Sequence, residues 1–137
     1  MPTFPPARIA ITATFAAFGV AVGVWAGSVP TVARAAGLDE VGLGLALSAF
    51  TVAIVAAMAA SAAVARRCSG RTIIVVMLVL LGLASAAVHL NTGPLMFYFA
   101  VIAFGATLGL TDVIMNAEAS AIEVEIGQPI FASFHAA

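Results

Sequence analysis

Long apolar runs separated by short polar or charged connections organise this chain. Arg8 and Arg34 bracket a charge-free run from Ile9 to Ala33, and Glu40 and Arg66 bracket a second from Val41 to Ala65. At about 20 residues per crossing, each is long enough to span a bilayer. The next charge-free stretch, Thr72 to Thr111, is too long for one crossing, and His89-Leu90-Asn91-Thr92-Gly93-Pro94 places a polar turn with helix breakers near its middle. The pattern predicts helices over about 9–31, 41–65, 72–90 and 95–118. The runs are unbroken and do not alternate, which disfavours membrane strands. Beyond Glu125, Pro129 suits the first turn of a further helix, and 129–137 reads as the start of a fifth. The fold class expected is all-α and polytopic: four transmembrane helices plus the start of a fifth, within one partial transmembrane domain over 1–137.

Composition agrees with that reading. Apolar residues make up 64% of the 137 positions and charged residues 8%, with a mean hydropathy of +1.19; soluble domains carry roughly 25% charged residues. The lipid bilayer is the first partner implied. Five Arg, no Lys and six acids leave a net charge of -1, so no basic surface exists to neutralise a nucleic-acid backbone, and nucleic acid is excluded as a partner. The single Cys68 cannot form an internal disulfide, and no Cys/His cluster offers a metal site, so no metal and no cofactor are expected. Arg8, Arg66, Arg67 and Arg71 fall on one side of the membrane and Arg34 on the other. The positive-inside rule therefore predicts a cytoplasmic amino terminus in a multi-pass inner-membrane protein. The first apolar run far exceeds the usual 7 to 15 residues, roughly, of a cleaved signal sequence and is retained as a helix.

Polar and small residues on the predicted helices carry the remaining information. In the first helix Gly19, Gly23 and Gly27 recur every four residues on one face, which suits either close helix packing or a cavity lining. Trp25 is placed towards the outer interface. The second helix carries a small-residue seam through Gly42, Ala46, Ala49, Ala53, Ala57 and Ser61. In the fourth, Gly105, Gly109, Asp112 and Asn116 share one stripe, and an acid and an amide on that face must meet protein or water rather than lipid. Asp112 lies about 26 Å along this helix, in the inner part of the membrane and off the midplane, which weakens a proton-relay role. The favoured reading is structural, with Asp112 bonded to neighbouring helices or paired with a loop Arg, and Asn116 bonding between helices. Glu118, Glu123 and Glu125 read as a solvated helix end within reach of Arg66, Arg67 or Arg71. His89 reads as an interfacial residue. Ser28, Ser48, Ser61, Ser85 and Thr107 serve backbone carbonyls rather than act as nucleophiles, because no activating base sits at a recognisable spacing. An enzyme is not expected.

Three stretches of the chain carry a resemblance. Gly19 to Gly44 reads GVAVGVWAGSVPTVARAAGLDEVGLG, Arg66 to Thr72 reads RRCSGRT, and Gly105 to Ala136 reads GATLGLTDVIMNAEASAIEVEIGQPIFASFHA. Together they resemble the amino-terminal part of a bacterial major facilitator superfamily permease, in its uncharacterised fucose-permease-like branch. The resemblance implies two six-helix halves built from inverted three-helix repeats, so that missing carboxy-terminal helices or another chain would complete the pathway. It implies transport of an unknown small solute by alternating access, with protons as the candidate coupling ion. Because helices one and four line the cavity in this fold, Gly23, Gly27, Asp112 and Asn116 are the cavity-side candidates. Arg66, Arg67, Gly70 and Arg71 match the position of the superfamily's cytoplasmic basic loop. The match has departures: Arg67 stands where that loop carries Asp, so a gating pair using that Asp is not carried over, and Glu118 stands where a neutral Gln is usual.

Two alternatives use the same residues. A stand-alone four-helix protein with a structural or assembly role fits the small-residue seams equally well. A small-multidrug-type exporter acting as a dimer fits the length, but it resembles chains with an acid inside the first helix, and Ile9 to Ala33 contains none.

Overall fold

The structure is a computed structural model that describes residues 5–90 and 93–127. It contains four helices, α1 (Pro5–Ala35), α2 (Glu40–Ala65), α3 (Gly70–His89) and α4 (Pro94–Ile126), and no strand among the described residues. All four are long and apolar enough to cross a membrane. The start of a fifth helix expected over 129–137 lies outside the described residues, as do Asn91 and Thr92 of the expected turn.

Local chemistry sets the helix ends. α1 closes in a Schellman motif: the Gly37 N–H donates to the Arg34 carbonyl at 3.0 Å and the Leu38 N–H to the Ala33 carbonyl at 3.0 Å. Gly37 takes the left-handed φ of 82° that this ending requires. Asp39 then caps α2, its carboxylate accepting from the Gly42 N–H at 2.7 Å, and Ser69 caps α3 by accepting from the Thr72 N–H at 3.3 Å. Pro94 opens α4, where its missing N–H costs nothing, and Gly127 at φ 69° ends it. Short connections make successive helices antiparallel, so α1 and α3 run one way and α2 and α4 the other. α1 runs through Pro30 to Ala35, and α4 continues past position 118 to Ile126. At 1.5 Å per residue α4 is about 50 Å long, so one end projects beyond a hydrocarbon core of about 30 Å.

α4 is the axis of the bundle. It packs on α1, α2 and α3, most extensively on α2, and α1 packs additionally on α3. Its buried residues include Phe97, Val101, Phe104, Gly105, Gly109, Thr111, Ile114, Met115 and Ala119. They join two apolar clusters. Nearer Arg34, Trp25, Val29, Leu81, Val88, Phe97, Val101 and Phe104 pack together; nearer the 66–69 connection, Ile11, Phe15, Ile73, Ile74, Ile114 and Met115 do so. The outer faces carry Val20, Leu45, Val52, Val55, Val79, Leu83, Phe99 and other exposed large apolar side chains. Such coverage would be a liability in water and is what lipid contact requires.

The α2–α4 contact is made by glycines. A Cβ added to Gly105 would lie 2.6 Å from the Phe50 carbonyl oxygen, and one added to Gly109 would lie 2.5 Å from the Ile54 carbonyl oxygen. Only hydrogen at these two positions lets the backbones approach so closely, as in other small-xxx-small crossings. The seam expected on α2 is the partner surface: Ala46 and Ser61 are buried, and Ala49, Ala53 and Ala57 half-buried. Trp25 differs from its expected interfacial place. It is buried, with its ring centroid 5.1 Å from Phe50 and 5.4 Å from Phe104, because the small α2–α4 separation brings both phenyl rings to one spot on α1.

Gly109→Ala is expected to lower the unfolding free energy by about 1–3 kcal/mol, the usual cost of extra volume in packed contact. Gly23→Ala, whose new methyl would meet no atom within 4 Å, should not lower it and should raise it by up to about 1 kcal/mol, the helix-interior advantage of Ala over Gly. Denaturant unfolding in detergent micelles, followed by circular dichroism, checks the contrast.

Candidate functional site

The polar stripe of α4 continues the line that Gly105 and Gly109 begin. Asp112 and Asn116 are both half-buried. One helical turn apart, they meet each other: the Asn116 Nδ2 donates to the Asp112 carbonyl oxygen at 2.8 Å and to the Asp112 Oδ1 at 3.2 Å. The expected bonding to neighbouring helices or to a loop Arg is therefore replaced by an intrahelical pair, since a side chain four residues on lies directly over the Asp carboxylate. The amide supplies the carboxylate with a donor inside the bundle.

Gly23 and Gly27 are exposed, with open space where a side chain would stand. They lie on a face of α1 that no described helix covers, in contrast to the α4 glycines. The structure does not bring the four candidates to one height. Gly23 and Gly27 flank Trp25, which stands level with Phe104, whereas Asp112 and Asn116 flank Ile114 and Met115, which stand level with Ile11 and Phe15.

The basic loop places Arg66 and Arg67 in the turn between α2 and α3, both exposed, and Arg71 in the first turn of α3. Gly70 has a specific reason to be glycine: a Cβ there would coincide with the Glu118 side chain, whose carboxylate lies across the backbone at the start of α3. Glu118 is accordingly half-buried rather than part of a solvated helix end. The free N–H groups and positive end of a helix are a favourable place for a carboxylate, worth about 0.3–1 kcal/mol. Sequence reasoning missed this contact, although a glycine directly after the Ser69 cap, where most residues would serve, was its one signal.

At the opposite end His89 joins α3 to α1. Its Nδ1 donates to the Ser85 carbonyl at 2.8 Å, and its Nε2 lies 2.9 Å from the Ser28 hydroxyl oxygen. Ser28, Ser48 and Thr107 donate to carbonyls one turn back, at 2.6, 2.9 and 3.0 Å, which is the backbone role the sequence assigns them. No group of three or more His, Cys, Asp or Glu side chains that could hold a metal occurs among the described residues.

Because the Glu118 carboxylate is the flexible group in its contact with Gly70, Gly70→Ala should displace it rather than disrupt the fold. Gly70→Ala and Glu118→Gln are then expected to be non-additive, the second change costing almost nothing after the first. A double-mutant cycle of unfolding free energies in micelles measures this, and additive losses would show that the carboxylate does not act at the α3 terminus.

No family model matches the chain, and no solved structure matches it. Among curated proteins, an uncharacterized MFS-type transporter of Yersinia pestis is 28% identical over 117 residues, covering 85% of this chain. The chain spans about 30% of that relative's length. The similarity to an MFS-type transporter runs along most of this chain.

Proposed function

We propose that the chain is the amino-terminal portion of a major facilitator superfamily secondary transporter that moves a small solute by alternating access. The observation that carries the proposal is the similarity to an MFS-type transporter along 85% of the chain. The four apolar helices accord with it. The Asp112-Val113-Ile114-Met115-Asn116 segment and the Phe134-His135-Ala136 that follows it are the reason for preferring the fucose-permease-like branch. The remaining helices of the pathway belong to a longer protein or to another chain. The proposal places the protein in the bacterial inner membrane with its amino terminus in the cytoplasm, on the strength of the Arg asymmetry.

Within that proposal Asp112 and Asn116 are the groups to act on solute or proton, and Gly23 and Gly27 line the cavity from α1. The Asn116 amide donates to both the carbonyl and the carboxylate of Asp112, so a solute oxygen accepting from that amide would exchange with one of these partners. Carboxylates and amides inside membrane helices are costly and usually mark such pathways.

Expressed together with the helices that complete it, Asp112→Asn is expected to lower solute-dependent proton entry into proteoliposomes by at least about tenfold, a loss of about 1.4 kcal/mol or more in transition-state stabilisation. A panel of sugars and related polyols, read with an internal pH dye, provides the measurement. Unchanged transport and unchanged pH dependence would remove Asp112 from the mechanism.

Cys68 lies exposed in the connection between α2 and α3 and is the chain's single thiol. A membrane-impermeant maleimide should label it in inverted vesicles and not in intact cells; the opposite pattern would reverse the orientation.

A further inference from the structure

At the end of the bundle opposite the basic loop, Ser28 of α1 meets His89, the last residue of α3. The protons of this pair follow from what each neighbour can accept. A backbone carbonyl only accepts, so the 2.8 Å contact between His89 Nδ1 and the Ser85 oxygen requires a proton on Nδ1. The Ser28 hydroxyl oxygen lies 2.6 Å from the Val24 carbonyl oxygen and 2.9 Å from His89 Nε2. In the neutral ring Nε2 then carries no proton, and the single hydroxyl proton must choose between two acceptors. In the imidazolium Nε2 donates to the Ser28 oxygen, the hydroxyl proton goes to Val24, and every contact is satisfied at once. The bond between the two helices also gains a charged donor, which roughly doubles the strength of a hydrogen bond.

The surroundings permit that proton. His89 is exposed and Ser28 half-buried, so the ring exchanges protons with the water at that surface. α3 packs on α1 and α4. At this end α1 contributes Arg34, six residues past Ser28, and α4 contributes Tyr98 in its second turn, while Asp39 and Glu40 stand where α1 leads into α2. Arg8, Arg71, Glu118, Glu123 and Glu125 belong to the opposite end, and Asp112 lies between. Two acids against one base do not oppose a cation here. Histidine is the side chain suited to a change of charge between about pH 5 and 8. We propose that Ser28 and His89 form a proton-dependent tie between α1 and α3, tightened when the ring takes up a proton from the water on that side of the membrane and slackened when it gives the proton back. With a cytoplasmic amino terminus that water is outside the cell, so an acidic exterior holds α1 against α3. This inference uses neither the transported solute nor Asp112.

The test is a double-mutant cycle of Ser28→Ala and His89→Gln on the complete chain in micelles, with unfolding free energies measured at pH 5 and at pH 8. The cycle subtracts what titrates elsewhere, so the coupling reports this pair. The coupling should be larger at pH 5 by at least about fivefold in the equilibrium constant, about 1 kcal/mol. Ser28→Thr keeps a hydroxyl one turn from Val24 and should leave the pH dependence of stability as it is in the unaltered chain. Nitrogen NMR of the imidazole in a His135→Gln background, where His89 is the single histidine, supplies a readout that leaves the pair intact. It should show the Nδ1–H tautomer at pH 8 and both nitrogens protonated at pH 5. Equal coupling at the two pH values, the Nε2–H tautomer at pH 8, or a ring still neutral at pH 5 would overturn the proposal and leave a polar contact indifferent to protons.

Discussion

The contact between two glycines of α4 and the backbone of α2 fixes the rest of this structure. Inside a bilayer no hydrophobic force drives helix against helix, and association depends on how many atoms can come into van der Waals range. Gly105 and Gly109 let α4 reach the carbonyls of Phe50 and Ile54 directly, so backbone meets backbone over the middle of both helices. Phe50 also stacks on Phe104, their centroids 6.0 Å apart, and this pair receives Trp25 from α1. One close approach therefore positions an aromatic junction of three helices, and α3 packs on the other side of the same α4.

Similar glycine spacings meet different fates in α1 and α4. In α4 the residues surrounding the stripe are large and interdigitate with α2, and the stripe is buried. In α1 the neighbouring large residues Val20 and Val24 are themselves exposed, and the stripe faces open space. Spacing records which backbone can be approached; what approaches it is decided by the other surface. This separates what was legible in the sequence from what was not. The four spans could be read because charged residues and a Gly-Pro pair bound unbroken apolar runs.

Partners were harder to see. Asp112 and Asn116 satisfy each other across one turn of a single helix, whereas spacing alone left interhelical bonds and ion pairs open. Trp25 carries the usual signal of an interfacial anchor, and its burial depends on two phenylalanines from distant parts of the chain. Glu118 rests on Gly70 because α4 runs past position 118 alongside the beginning of α3, a length that the acidic run after Asn116 concealed. In each case the missing information was the relative placement of two helices, which no single run of residues contains.

The aromatic junction has a spectroscopic consequence. Trp25 is the chain's single tryptophan, and its indole contacts rings from both α2 and α4. Its emission is therefore an intrinsic reporter of the α1–α2–α4 junction, uncomplicated by any second indole. If α1 rocks against the α2–α4 pair, the two phenyl rings separate from the indole and its wavelength and quenching change without any label being attached.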